Sequence, residues 1–140
     1  MTTSVDTNVL IALWNEDYAL NTRASTALGK AMGRGALVVS APVFAELLAA
    51  PGRSEEFLNE FLHDTGISAD WDLGEAVWRL AGRGFQRYVR GRRKHRDTGP
   101  RRILADFLIG AHALHNRFQL LTLDERVYKG TFPQLDIAEI

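Results

Sequence analysis

The sequence contains no cysteine among its 140 residues, which excludes a disulfide framework, a thiolate zinc site and a cysteine nucleophile. No apolar run approaches the roughly 18 residues that begin to suggest a membrane span. The opening MTTSVD lacks the basic start and apolar stretch of a signal peptide, so a cytoplasmic protein with no membrane partner is expected. Internal repeats, low-complexity stretches and linkers are missing too. Net charge is also absent, with 17 basic and 17 acidic side chains. What is present is ordinary globular composition, 46% apolar and 24% charged. Residues 1–140 read as one domain that buries roughly two-thirds of its unfolded surface.

The balanced charge is unevenly spread. Between Arg79 and Arg102 stand ten basic residues and one acid, Asp97, a local charge of +9 that the rest of the chain cancels. Within this block Arg79, Arg83, Arg87, Arg90 and Lys94 recur at helical spacing, forming a cationic ridge about 22 Å long suited to a polyanion. The alternative is a solvated helix face followed by a loop.

Hydrophobic periodicity alternates strand and helix along the chain. Short strands are expected at residues 3–6, 36–40, 67–71, 118–124 and 135–140. Helices are expected after Asp6, over about Leu20 to Met32, from Pro42 to a stop at Pro51 and Gly52, and over 54–66 behind the N-cap Ser54. A long helix follows from Asp72, with a kink expected at Gly82 and Gly84, then a loop at His95–Pro100. A nearly all-apolar helix begins near Arg101, and a turn or short helix follows Asp124. This order predicts an α/β domain with a mostly parallel sheet covered by helices on both faces. In such sheets the working site lies beyond the carboxyl ends of the strands, where Asp6 and Asp124 are expected.

Four acids lie in apolar contexts: Asp6 after Val5, Glu46 within FAELLA, Asp106 within LADFLIGA, and Asp124 closing LLTLD. A carboxylate seldom enters such surroundings uncompensated. Two charges brought to about 4 Å repel by roughly 4 kcal/mol at an effective dielectric of 20, so a convergent set requires a strong counter-charge. All-oxygen ligation favours Mg²⁺ or Mn²⁺ over zinc, because His63, His95, His112 and His115 show no ligand spacing. Asn8 and Thr122 lie near enough in the expected fold to hydrogen-bond these acids. Each acid also has a structural alternative: Asp6 and Asp124 as helix N-caps, Asp106 as a partner of Arg102, Glu46 as a solvent-facing residue. His112 reads as a satisfied core histidine.

Together VDTNVLIA, the glutamate of FAELLA, LADFLIGAHAL and LLTLD, in this order and spacing, resemble the acidic motifs of the PIN domain, and among its members the small VapC-type toxins of toxin–antitoxin pairs. The resemblance extends to the closing FPQLDIAEI. It implies a three-layer α/β/α fold, Mg²⁺- or Mn²⁺-dependent endoribonuclease activity, homodimerisation, and a cognate antitoxin inserting into the active-site groove. Matched motif to motif, Asp6, Glu46, Asp106 and Asp124 take the metal-site roles, with Asn8 adjoining them. Where members often carry a further acid or Asn after the last aspartate, this chain has Val127, and Glu125 is the nearby acid available to substitute.

The expected chemistry is phosphodiester hydrolysis by a metal-activated water, with Asp106 or Asp124 orienting it and the basic ridge holding the RNA backbone. One rival is a catalytically silent RNA-binding module with the same fold. Another is an aspartyl-phosphate enzyme, disfavoured because Asp6 is followed by Thr7 and Asn8 rather than a second acid.

Overall fold

The structure, a computed structural model, describes residues 1–95 and 102–140, with residues 94 and 95 described by backbone alone. The expected loop at His95–Pro100, with Arg96 and Arg101, and the Lys94 side chain thus lie outside the described side chains. In chain order the elements are β1 (Thr3–Val5), α1 (Thr7–Trp14), α2 (Asn21–Arg34), β2 (Leu37–Ser40), α3 (Ala41–Leu48), α4 (Glu55–Thr65), β3 (Ser68–Asp70), α5 (Gly74–His95), α6 (Leu104–His115), β4 (Gln119–Leu121) and α7 (Arg126–Lys129).

The four strands form one parallel sheet in the order β3-β2-β1-β4, flanked by helices in three layers. Every residue of β1 and β2 is buried, as expected where helices cover both faces of a parallel sheet. Val5, Val39, Leu120 and Leu121 meet Val9, Leu10, Leu47, Phe107 and Ile109 in the core. Local signals set the helix starts. Ser54 Oγ accepts from Phe57 N at 3.0 Å to cap α4, and α3 carries Pro42 in its first turn.

Two sequence expectations change. Residues 135–140 form no strand: Ile137 makes one isolated parallel bridge to Leu120, through Leu120 N to Asp136 O (2.8 Å) and Ala138 N to Leu120 O (2.9 Å). The fourth strand stops at Leu121 rather than running to Asp124, because side chains intercept the next backbone amides. Leu123 N donates to Asn8 Oδ1 (3.0 Å) and Asp124 N to Thr122 Oγ1 (3.1 Å), turning the chain out of the sheet.

Helix α5 continues as one element through Gly82 and Gly84. At Gly84 a Cβ would lie 2.8 Å from Thr131 Cγ2, so the glycine serves close approach to the segment after α7. Val77 and Ala81 are buried, and α5 packs against α6, whose Phe107 meets Phe85 and Tyr88 at ring separations of 5.0 and 5.5 Å. Among the described residues no helix is long and apolar enough to cross a membrane.

Candidate functional site

The site is assembled at the carboxyl end of β1. Asp6 follows that strand, still paired to β4 through Asp6 N to Leu121 O (2.9 Å), and caps α1 by accepting from Thr7 N through Oδ1 at 2.7 Å. The capping alternative is therefore realised, and it leaves the second carboxyl oxygen facing the interior. Only 6% of Asp6 is exposed. Oδ2 accepts from Thr122 Oγ1 and from the Tyr128 hydroxyl, each at 2.8 Å. Burial pushes the Asp6 carboxyl up from 3.8 to about 6; those three hydrogen bonds pull it down, and the charge of Glu46 adds to the rise.

Glu46 lies on α3 and is half-buried. Its Oε1 accepts from Thr7 Oγ1 at 2.6 Å, so Thr7 ties the two carboxyls together, through its amide to Asp6 and its hydroxyl to Glu46. The solvent-facing alternative for Glu46 does not hold. Asp106 stands in the first turn of α6, where its Oδ2 accepts from Ile103 N at 3.1 Å. Burial raises its carboxyl and Asp124 raises it further, while the Ile103 amide and Arg102 oppose the rise. Asp124, half-buried beyond β4, has Arg126 Nε at 3.5 Å and caps no helix.

Thr122 bonds an acid as expected, whereas Asn8 reaches Thr122 and the Leu123 amide and bonds no acid among the described residues. Asn8 Nδ2 donates to Thr122 Oγ1 at 3.3 Å, and the Thr122 hydroxyl, with two donors already directed at it, gives its proton to Asp6. Two residues escaped the sequence reading. They are Thr7, which follows Asp6, and Tyr128, in the short helix after Asp124. Tyr128 is 1% exposed, and burial together with the carboxyls of Asp6, Asp106 and Glu46 pushes its hydroxyl well above the ordinary tyrosine range. No local signal marks it, because the acceptor that a buried phenol demands is Asp6, far away in sequence. His112 is fully buried, as expected, with Nε2 2.8 Å from Asp70 Oδ2 at the end of β3.

The four acids thus act on one another electrostatically in two pairs, Asp6 with Glu46 and Asp106 with Asp124, and three of them act on the Tyr128 hydroxyl. Among the described residues, no three carboxylate or imidazole groups are already gathered closely enough to hold a metal ion. The donor chemistry nevertheless fits a small hard cation: the groups offered are carboxylate oxygens, and the buried histidine is turned to Asp70. A groove of about 400 Å³ runs from Asp124 and Asn8 past Ile11, Asn15 and Tyr18.

The PIN domain family pattern matches residues 4–133. The chain belongs to the PIN domain family. Solved structures similar to this PIN domain include VapBC2 from Rickettsia felis bound to a DNA fragment from their promoter, with 19% identity, TM-score 0.70 and coverage of 99% of this chain and 98% of that one. VapBC-1 from nontypeable Haemophilus influenzae aligns at 18% identity and TM-score 0.68, over 99% and 98% of the two chains. VapC20 from Mycobacterium tuberculosis, described as a sarcin-ricin loop cleaving toxin, aligns at 15% identity and TM-score 0.64, over 93% and 95%. No curated protein sequence matches this PIN domain.

Of the expected RNA-binding ridge, Arg83 and Arg90 on α5 are exposed. Arg79 Nε is paired with Glu75 Oε2 at 2.6 Å, and Arg87 donates to Thr131 O at 3.3 Å, so two of the five cations are partly engaged within the fold.

Proposed function

We propose that this PIN domain is a metal-dependent endoribonuclease, the VapC-type toxin of a toxin–antitoxin pair, acting in the cytoplasm as a homodimer. The observation that carries the reading is Asp6: a carboxyl 6% exposed at the carboxyl end of a parallel strand, raised to about 6 and tied through Thr7 to a second acid, Glu46. Family membership and the full-length likeness to VapC structures support the reaction class.

In this reading Asp6, Glu46, Asp106 and Asp124 hold Mg²⁺ or Mn²⁺. The ion supplies a water of lowered pKa and a positive charge against the phosphoryl oxygens. Thr7 keeps Glu46 beside Asp6, while Thr122 and Asn8 fix the backbone from which Asp124 projects. Asp106 or Asp124, both half-buried and open to water, orients the attacking water and accepts its proton. The cations of α5, with Lys94 expected to continue them, hold RNA phosphates without reading sequence. A cognate antitoxin occupies the groove that opens at Asp124 and blocks the acids.

The test is cleavage of RNA with Mg²⁺ or Mn²⁺, with and without chelator, by wild type and Asp106→Asn. Metal-dependent cutting lost in the variant is expected; equal cutting by both proteins rejects the residue assignment. A second reading, a silent RNA-binding module, is favoured by the lack of any three acids already gathered among the described residues. It predicts salt-sensitive RNA binding with no cleavage under either metal.

A further inference from the structure

We propose that Tyr128 is a positioning residue for Asp6, fixing that carboxylate so that one acceptor site, on Oδ1, remains for a divalent cation. This rests on the metal-dependent reading above and adds a residue that the acidic motifs do not contain.

The argument is a count of protons and lone pairs. A carboxylate offers about four acceptor sites, two on each oxygen. Oδ2 of Asp6 receives the Thr122 hydroxyl and the Tyr128 hydroxyl, each at 2.8 Å, and is filled. Oδ1 receives Thr7 N at 2.7 Å and keeps one site. Thr122 has no freedom to turn away, because its oxygen already accepts from Asn8 Nδ2 and Asp124 N. Tyr128 is held as firmly by packing. Its ring lies against Gly110, where a Cβ would come within 3.0 Å of Tyr128 Cδ1, and the hydroxyl proton has Asp6 as its acceptor. Gly110 is one helical turn beyond Asp106, so α6 places both an acid of the site and the ring that orients another.

Outer partners of ligating carboxylates set ligand orientation, and their removal typically costs 10–100-fold in metal affinity. Tyr128→Phe keeps the ring on Gly110 and deletes only the hydroxyl. Calorimetric titration with Mn²⁺ is expected to show affinity weakened about 10- to 100-fold relative to wild type. At saturating Mn²⁺ the KM for RNA is expected to stay unchanged. Thr122→Val, which removes the other Oδ2 donor, is expected to weaken Mn²⁺ binding in the same direction and serves if Tyr128→Phe does not fold. Unchanged or tighter Mn²⁺ binding in a folded variant, with or without lost thermal stability, overturns the role of Tyr128 and leaves the proposed function standing. Failure of wild type itself to bind Mn²⁺ overturns both.

Discussion

Asp6 caps α1, anchors β1 to β4 and accepts two interior hydroxyls, yet its burial opposes the charge those contacts favour. The balance leaves the folded carboxyl near 6 against an ordinary 3.8, so the native state holds a proton that the unfolded chain has released between these values. The sign follows: the group contributes most to stability below about pH 4, and this contribution is lost as pH rises through about 6. For the metal-free protein we predict a stability loss of roughly 3 kcal/mol across that window, measured by urea unfolding, and a flatter profile in Asp6→Asn. Added Mg²⁺ is expected to offset the loss in wild type at pH 7.5 and to do little at pH 4.5, where proton and ion compete. A second prediction concerns His112, whose Nδ1 has no partner among the described residues and whose Nε2 depends on Asp70. Asp70→Ala strands a fully buried imidazole and is expected to cost about 1–3 kcal/mol, read by the same unfolding assay.

At the scale of elements, α6 and α7 decide whether the site is well formed. The Gly110 backbone takes the flank of Tyr128 and of Phe132, and a Cβ there would lie 2.6 Å from the Phe132 ring. Gly110→Ala should gain helix propensity and still lose about 1–3 kcal/mol net from overpacking, lowering Tm. Helix positions were legible because caps, proline and apolar spacing are local: Ser54 and Pro42 sit where the pattern places them. Strand ends were less legible. The run Phe118–Asp124 looks continuous, and its end at Leu121 is set by Asn8, a residue far away in sequence. The apolar alternation of residues 135–140 likewise yields a single bridge, since what a terminal segment pairs with is a tertiary matter. The four acids were visible because carboxylates in apolar contexts stand out. Thr7 and Tyr128 were not, because a hydroxyl near a turn looks ordinary until its acceptor is known. The linear order of motifs also carried no information on how closely the acids approach, and among the described residues no three of them are gathered.

Across the whole molecule, zero net charge conceals a separation: ten of the 17 cations fall between Arg79 and Arg102, while Asp6 follows β1 and Asp124 lies beyond β4. Under the proposed function such an arrangement would draw a polyanion to α5 and offer its phosphodiesters to the acids. Replacing Arg83 and Arg90 with alanine is expected to weaken RNA binding regardless of sequence and to lower the slope of log affinity against log salt by about 0.7 per cation removed, measured by fluorescence anisotropy. The strand order also has a temporal side. β1 sits between β2 and β4, and Asp6 is held by Thr122 and Tyr128, which are synthesised more than a hundred residues later. While a ribosome is making this chain, the first acid therefore emerges with neither hydroxyl in place. Under the proposed function, the edge that would hold the metal is finished only once Tyr128 has been added, so a shorter nascent chain lacks the contacts that fix its first acid.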